Sequence, residues 1–222
     1  MPHPSPRYFE LLDQYKKLHQ EGDVAKGVPG AEMFRGIRLL PQAPRIGQLA
    51  AETGATSLLD YGCGKAEQYT VPYDAPDGRR WPTVLQYWGI TQLQRYDPGY
   101  APFSEKPTGK YDGVVCTDVL EHCAEEDMPW IFEELFSYAK KFVFVNAACF
   151  TAKKTLPNGE NAHCTVKPPD WWIALFTATG RRYPHIIGEI QIQYMKQSGD
   201  TQTLETMILS NSRTDSVKLA EK

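Results

Sequence analysis

Residues 57–66, with the sequence SLLDYGCGKA, constrain the fold more than any other part of the chain. The apolar start is typical of a buried parallel strand. Gly62 and Gly64 then allow the backbone to turn sharply and to approach a ligand with no Cβ in the way. A strand that runs directly into a glycine turn is where a nucleotide-like cofactor binds in many α/β sheets, although such a turn can also be a plain strand-to-helix connection. The prediction of a cofactor site therefore depends on the residues at the ends of the neighbouring strands.

Two later segments place polar residues at the predicted ends of strands. The sequence RYDPG puts Asp97 and Pro98 after a short strand over residues 93–96, and a carboxylate there can accept both hydroxyls of a ribose. The sequence VVCTDVLEH ends another apolar strand with Thr117 and Asp118. Ligands of open α/β sheets bind outside the carboxyl ends of the strands, so we expect the three strand ends to form one crevice.

In type and order, these motifs resemble the class I S-adenosylmethionine-dependent methyltransferases over roughly residues 40–211. LDYGCG resembles the first motif of that family and Asp97 its ribose-binding acid. DVLEH resembles the segment after the fourth strand in the branch that includes the ubiquinone-biosynthesis O-methyltransferases. Two features depart from the family: Ala66 stands where a third glycine is common, and the interval from Gly64 to Asp97 is longer than usual.

The resemblance implies both a fold and an activity. The fold is α/β, a single Rossmann-like three-layer sandwich whose mostly parallel seven-stranded sheet ends in an antiparallel hairpin. The activity is methyl transfer to a small-molecule acceptor, and an oxygen is the more expected methylated atom than a nitrogen. S-adenosyl-L-methionine is the implied cofactor and S-adenosyl-L-homocysteine the implied product. The residues implied to contact the cofactor are Asp60, Tyr61, Gly62, Cys63, Gly64, Asp97, Pro98, Thr117, Asp118 and Val119.

The nature of the acceptor is narrowed by the end of the fourth predicted strand. Enzymes that methylate planar amides or base amino groups carry Asn/Asp-Pro-Pro-Tyr there, whereas this chain has CTDV. The adenine-type and glutamine-type enzymes are therefore disfavoured, which leaves a small-molecule acceptor.

Two of the five histidines lie where an acceptor could be deprotonated. Methyl transfer mainly needs alignment of the reactants, and a positioned base adds typically 10²- to 10⁴-fold. His122 follows the fourth predicted strand directly and His163 lies in the loop after the fifth, so both are candidate catalytic bases. The structural alternatives are that Glu121 and His122 cap the next helix or pack structurally, and that His163 is only solvated.

A cation site is a further alternative. Asp118, Glu121, His122 and His163 could act together as ligands, as in the cation-dependent catechol methyltransferases. Their spacing matches no dedicated motif, and Mg²⁺ prefers an octahedron of oxygen ligands, so we expect no bound metal. The five cysteines contain no Cys-x-x-Cys pair, which argues against a disulfide framework and a zinc knuckle.

Composition limits the organisation of the chain. With 222 residues, 41% of them hydrophobic, it has room for one α/β domain. We predict a single domain over 1–222, with leading helices in 1–53, the core in 54–211 and a flexible tail in 212–222. A net charge of −3 disfavours nucleic acid as a partner. The chain has no long apolar run, which predicts no membrane span, and no secretory signal, which predicts a cytoplasmic protein. The sequence does not indicate the oligomeric state.

Periodicity and turn signals complete the outline. The insert over 69–87 is predicted to be irregular in its first half, as a lid or a surface loop, and Asp127 is the expected N-cap of a helix. Helices are predicted over about 7–20, 43–52, 81–90, 127–139 and 169–180, and later strands over 141–148, 186–194 and 202–210.

Two other functions remain open. An NAD-dependent oxidoreductase needs an acid about 20 residues after the glycines at a strand end. Asp74 and Asp77 come nearest, but they lie among prolines and turns. A non-catalytic S-adenosylmethionine-binding partner of another methyltransferase would keep Gly62 and Asp97 and would need no base.

Overall fold

The computed structural model of the chain describes residues 3–198, 201–211 and 218–219. The helices are α1 (Pro6–Glu21), α2 (Ala43–Thr53), α3 (Val84–Trp88), α4 (Met128–Tyr138) and α5 (Pro169–Gly180). The strands are β1 (Ser57–Tyr61), β2 (Tyr73–Asp74), β3 (Arg80–Trp81), β4 (Gln92–Tyr96), β5 (Tyr111–Cys116), β6 (Ala139–Ala148), β7 (Ile187–Ser198), β8 (Thr201–Ser210) and β9 (Lys218–Leu219). The predicted tail, 212–222, lies outside the described residues except for β9.

The main sheet has the strand order β4-β1-β5-β6-β7-β8-β9. The pairs from β4 through β7 are parallel, and β8 is antiparallel to β7. The predicted α/β class and the mostly parallel sheet that ends in an antiparallel pair are confirmed. Because the chain goes from β1 to β4 on one side and then to β5 on the other, the strand order reverses next to β1. In open α/β sheets ligands bind at such a switch point.

Alternate residues of the central strands enter two different hydrophobic clusters, because side chains alternate across a strand. Leu59, Val114 and Val143 pack with α4 and α5, around Phe132 and Trp172. The adjacent residues Leu58, Val115 and Phe142 pack with α2 and α3, around Ile46 and Trp88. All five residues of β1 are buried, as the apolar run predicted. The glycine turn is thus held at the end of a fully packed strand.

The first half of the 69–87 insert was predicted to be irregular, and that prediction is wrong. Tyr73 pairs with Trp81 and Asp74 with Arg80 in a short antiparallel hairpin. Its turn contains Gly78 at φ +82°, a conformation that glycine adopts without strain. An Asp-Gly pair between short strands is a known hairpin signal, which the prolines nearby obscured.

Helix α1 is fastened to the start of α4 through Asp127. The Asp127 carboxylate accepts hydrogen bonds from the N–H (2.7 Å) and the hydroxyl (2.8 Å) of Ser5, the N-cap of α1. Asp127 precedes α4, as predicted, but its side chain makes no capping bond there. The expected helix cap is therefore an anchor between two distant parts of the chain.

None of the helices in the described part of the chain has both the length and the apolarity that a membrane crossing requires.

Candidate functional site

The carboxyl ends of the central strands meet at one edge of the sheet and are joined there by hydrogen bonds. The N–H groups of Gly62 and Cys63 donate to the Tyr96 carbonyl, at 2.7 and 3.1 Å, which connects the ends of β1 and β4. The N–H of Asp118 donates to the Asn146 side chain at 2.7 Å, which connects the ends of β5 and β6. We call this region the switch edge.

Both glycines of the turn are required by packing against other parts of the protein. Gly62 has φ +84°, and a Cβ placed there would lie 2.3 Å from a methyl group of Val119. Gly64 has φ +57°, and its Cβ would lie 2.2 Å from the carbonyl oxygen of Phe34. A side chain at either position would therefore displace Val119 or the backbone at Phe34, whereas the approach of the turn's backbone to a ligand stays a prediction.

Asp97 lies at the end of β4 and connects two backbone segments of the switch edge. One carboxylate oxygen accepts the N–H of Gly64 at 2.9 Å, and the other accepts the N–H of Gly99 at 2.8 Å. Burial raises the pKa of Asp97, while these backbone hydrogen bonds lower it. The backbone N–H of Tyr100 also acts on this carboxyl, and a carboxylate offers about four acceptor positions. Asp97 is therefore held in place by the backbone and keeps part of its acceptor capacity.

Sequence reasoning missed His19, which α1 places over the same edge. Its ring lies between those of Phe34 and Tyr100, at centroid distances of 4.8 and 5.0 Å. Burial lowers the pKa of His19 to about 4, so the ring is neutral at pH 7. Its Nδ1 is buried and has no hydrogen-bond partner among the described residues. A buried polar atom without a partner is uncommon and is consistent with a ligand next to α1.

Lys65, the residue after the glycine turn, was also missed. Its ammonium donates to the backbone carbonyls of Gly30 (2.7 Å) and Met33 (2.6 Å) and lies 5.3 Å from the centre of the Tyr100 ring. An ammonium has three N–H donors, and the third N–H of Lys65 has no hydrogen-bond acceptor among the described residues. Its position after GCG is a sequence signal, whereas its carbonyl partners come from a loop that no motif marks.

Three of the residues predicted to contact a cofactor have side chains engaged inside the protein. The carboxylate of Asp60 accepts hydrogen bonds from Gln68 (3.0 Å) and the Tyr69 hydroxyl (2.8 Å). The hydroxyl of Tyr61 donates to Glu134 at 2.6 Å. The third is Cys63, whose thiol is buried, and burial raises its pKa. The other predicted cofactor residues follow the strand ends at the switch edge; they are Gly62, Gly64, Asp97, Pro98, Thr117, Asp118 and Val119.

The two candidate catalytic histidines lie side by side, next to Glu121. The ring centroids of His122 and His163 are 4.8 Å apart, with the planes at 82°. One ligand atom from each of Glu121, His122 and His163 lies within 4.8 Å of the others. The alternative that Glu121 and His122 cap the next helix is wrong, because they form a separate 3₁₀ turn and α4 begins only at Met128.

Glu121 is the buried acid of this group, which we call the histidine cluster. Its side chain is only 2% exposed, and Oε2 has no hydrogen-bond partner in the part of the chain that the structure describes. Burial, together with the nearby charge of Asp118, raises the pKa of Glu121 to about 8. Backbone N–H groups of Glu121 and Ala148 act on the same carboxyl and lower its pKa, so Oε2 is the oxygen that lacks a partner among the described residues.

Backbone carbonyls orient both histidine rings. Nδ1 of His163 lies 2.5 Å from the Phe150 carbonyl oxygen, which only accepts, so this Nδ1 carries the proton and Nε2 keeps a lone pair. Nδ1 of His122 lies 2.8 Å from the Ala162 carbonyl oxygen and 3.0 Å from the Tyr15 hydroxyl, which itself lies 2.8 Å from the same carbonyl. The tautomer of His122 therefore depends on whether the Tyr15 hydroxyl donates to Nδ1 or to the carbonyl. The alternative that His163 is only solvated is not supported by this arrangement.

A groove of about 900 Å³ opens beside His163. It is lined by Arg7, Ala124, Glu125, Glu126, Glu160, Asn161, His163 and Cys164. We call it the α1 groove, because Arg7 of α1 lines it. His163 thus belongs both to the histidine cluster and to the α1 groove. The 69–87 insert contributes no lining residue; it packs into the cluster of α2 and α3 through Tyr73 and Ala75.

Comparisons of the chain with protein-family models, with curated proteins and with solved structures find no match. The functional assignment therefore rests on the geometry of the site.

The packing of Gly62 against Val119 predicts the effect of adding a methyl group. Gly62→Ala combines a positive φ, which costs about 1–2 kcal/mol, with an overlap that costs about 1–3 kcal/mol more. Gly78→Ala is the matched control, because its φ of +82° is nearly equal and no described atom lies within 4 Å of the added Cβ. Urea denaturation should show the larger loss for Gly62→Ala, and Val119→Ala in the same chain should recover part of it. Equal losses for the two glycine variants would contradict this packing.

A pH dependence of stability is expected from Asp60. Burial raises the pKa of Asp60 to about 7, above its ordinary value of 3.8. Between pH 4 and 7 the folded state therefore holds the proton that the unfolded state has lost, so stability falls as the pH rises, by up to about 1.4 kcal/mol per pH unit. Asp60→Asn keeps an oxygen for Gln68 and Tyr69 but cannot ionise. Measured at pH 5 to 8, the unfolding free energy of Asp60→Asn should exceed that of the wild type by an amount that grows up to about pH 7. Asp74→Asn, on the exposed hairpin, is the control and should show no such growing difference. Parallel curves for the wild type and Asp60→Asn would contradict this prediction.

Proposed function

We propose that the protein is a class I S-adenosylmethionine-dependent methyltransferase that acts on a small-molecule acceptor, with a hydroxyl oxygen as the methylated atom. The observation that carries the proposal is the position of Asp97. This carboxylate lies at the switch edge, beside the glycine turn, and keeps acceptor capacity that a ribose hydroxyl can use. On this proposal the sheet is the seven-stranded centre of a three-layer Rossmann-like sandwich, with α2 and α3 on one face and α4 and α5 on the other.

The residues of the switch edge fit this cofactor. Asp97 would accept the ribose hydroxyls, and the remaining N–H of Lys65 would pair with the carboxylate of the methionine part. The buried Nδ1 of His19, which lacks a partner among the described residues, would gain one. Bound S-adenosylmethionine supplies a methyl group on a positively charged sulfur, and S-adenosylhomocysteine is the product. Helix α1 would exclude water from this edge, because Tyr15 and His19 pack against Gly99.

The α1 groove would hold the acceptor. His163 lines the groove and lies beside His122, and it keeps an Nε2 lone pair because its Nδ1 proton is used on a carbonyl. Burial lowers the pKa of His122 to about 4, so this ring is neutral at pH 7. Neutral imidazoles beside a groove suit the binding of a hydroxyl whose proton must leave during methyl transfer.

The alternatives are less well supported. The acids that an NAD-dependent oxidoreductase would need, Asp74 and Asp77, lie on the separate hairpin of β2 and β3 and not at the end of a strand of the main sheet. A non-catalytic cofactor-binding partner would have no use for the ordered histidine cluster. Transfer of a labelled methyl group to hydroxylated small molecules separates that alternative from an enzyme.

Isothermal titration with S-adenosylmethionine, S-adenosylhomocysteine and NAD tests the proposal. We expect the wild type to bind the first two and not NAD. Asp97→Asn should bind them about ten- to a hundredfold more weakly, because a hydrogen bond to a charged group contributes about 1.5–3 kcal/mol. Asp77→Asn, on the exposed hairpin, is the control and should bind normally. Thermal unfolding must show that Asp97→Asn is folded, since Asp97 also binds two backbone N–H groups. Binding of NAD alone, or unchanged affinity in Asp97→Asn, would overturn the proposal.

A further inference from the structure

The histidine cluster brings together three side chains of the types that bind transition metals. Glu121 and His122 come from the turn after β5 and His163 from the loop after β6, and their ligand atoms lie within 4.8 Å of one another. Two imidazoles and one carboxylate are a known ligand set of zinc sites that keep an open position. Ligand atoms about 2.0–2.2 Å from such an ion are roughly 3.4 Å apart in a tetrahedron, so modest side-chain rotations would bring these three into place.

The unsatisfied carboxylate is the second observation, independent of the spacing. Oε2 of Glu121 is buried and has no partner among the described residues, although buried polar atoms are normally hydrogen-bonded. The exposed carboxylate of Asp118 lies close enough to act on both Glu121 and His122. A cation placed among these groups would give the orphaned oxygen a partner and would favour the ionised form of Glu121.

The hydrogen bonds behind the two rings are of the kind that metal-binding histidines make. A histidine that binds a metal through one nitrogen donates its other ring N–H to a carbonyl or carboxylate, which fixes the tautomer and the ring orientation. His163 does so, to the carbonyl of Phe150. His122 does the same, to the carbonyl of Ala162, when the Tyr15 hydroxyl beside its Nδ1 donates to that carbonyl. In that arrangement both Nε2 lone pairs are left for one further partner.

We propose that Glu121, His122 and His163 form a binding site for a divalent first-row metal ion, Zn²⁺ by its ligand type, with an open position towards the α1 groove. The expectation of no metal was drawn from spacing along the chain, which does not show that His163 folds back beside Glu121. Mg²⁺ would bind weakly, because two of the three ligands are nitrogen.

The role of the ion rests on the proposed methyltransferase function, whereas its binding does not. Glu121, His122 and His163 would then hold the ion, and the histidines would act as ligands and not as bases. The ion would supply Lewis-acid chemistry that favours loss of the acceptor hydroxyl proton, which would leave through the open groove to solvent water. Methyl transfer would form the oxygen–carbon bond as the carbon–sulfur bond breaks, with the electron pair of that bond left on the sulfur.

Metal binding by the purified full chain, without cofactor or acceptor, tests the site. After treatment with a chelator, equilibrium dialysis against Zn²⁺ should load one ion per chain, and Mg²⁺ should not compete at equal concentration. Glu121→Gln and His163→Ala should each weaken binding more than tenfold, while His185→Ala, an exposed histidine outside the cluster, should bind as the wild type does. Tyr15→Phe removes no ligand and should weaken binding by up to about tenfold, which is the lower end of the effects seen when a group that orients a ligand is lost.

Cobalt spectroscopy provides a readout that does not depend on folding stability alone. Co²⁺ should give visible bands of a site with nitrogen and oxygen ligands, lost in His163→Ala and kept in His185→Ala. Absence of binding, or equal binding by the wild type and by folded Glu121→Gln and His163→Ala, would overturn the site. The two proposals fail separately: a chain that binds Zn²⁺ but not S-adenosylmethionine overturns only the cofactor assignment, and the reverse result overturns only the metal site.

Discussion

The hydrogen bonds of the Asp97 carboxylate hold the switch edge in the form on which the rest of the site depends. One oxygen fixes the glycine turn through Gly64, and the other fixes the backbone after β4 through Gly99. The Tyr96 carbonyl adds two more bonds between the same strand ends. A half-buried acid that is oriented by backbone N–H groups and keeps acceptor capacity is suited to bind a hydroxyl without rearranging. The site at this edge is therefore built by the sheet itself.

Helix α1 links this edge to the histidine cluster. Its start is bound to Asp127, its middle places Tyr15 on the Ala162 carbonyl that orients His122, and its end places His19 over the switch edge. One helix thus positions side chains at both halves of the site. The chemical consequence is that a cofactor at the edge and an acceptor in the α1 groove would be held by the same helix.

The sheet and the glycine turn could be predicted because they depend on local sequence patterns. A buried strand such as β1 appears in the sequence as an apolar run, and the turn requires a glycine at Gly62 because φ is positive there. Pairs that the fold brings together have no such local pattern. Asp127 looks like a helix cap, and its partner Ser5 is 122 residues away. His19 carries no local signal at all. The sequence offers Glu121, His122 and His163 as one alternative for a cation site, but it does not show that they lie together, because His163 comes from a loop after β6, far along the chain from His122, at a spacing that no metal motif shares.

Binding of a cofactor at the switch edge through Asp97 is our central claim. Hydrogen exchange of the wild-type chain, measured with and without S-adenosylhomocysteine, tests it most directly because the measurement locates the ligand on the chain. We predict slower exchange at the N–H groups of residues 62–65 and 97–100 and of the facing end of α1, with the hairpin of β2 and β3 unchanged. Protection confined to other segments, or no change at saturating ligand, would contradict the claim.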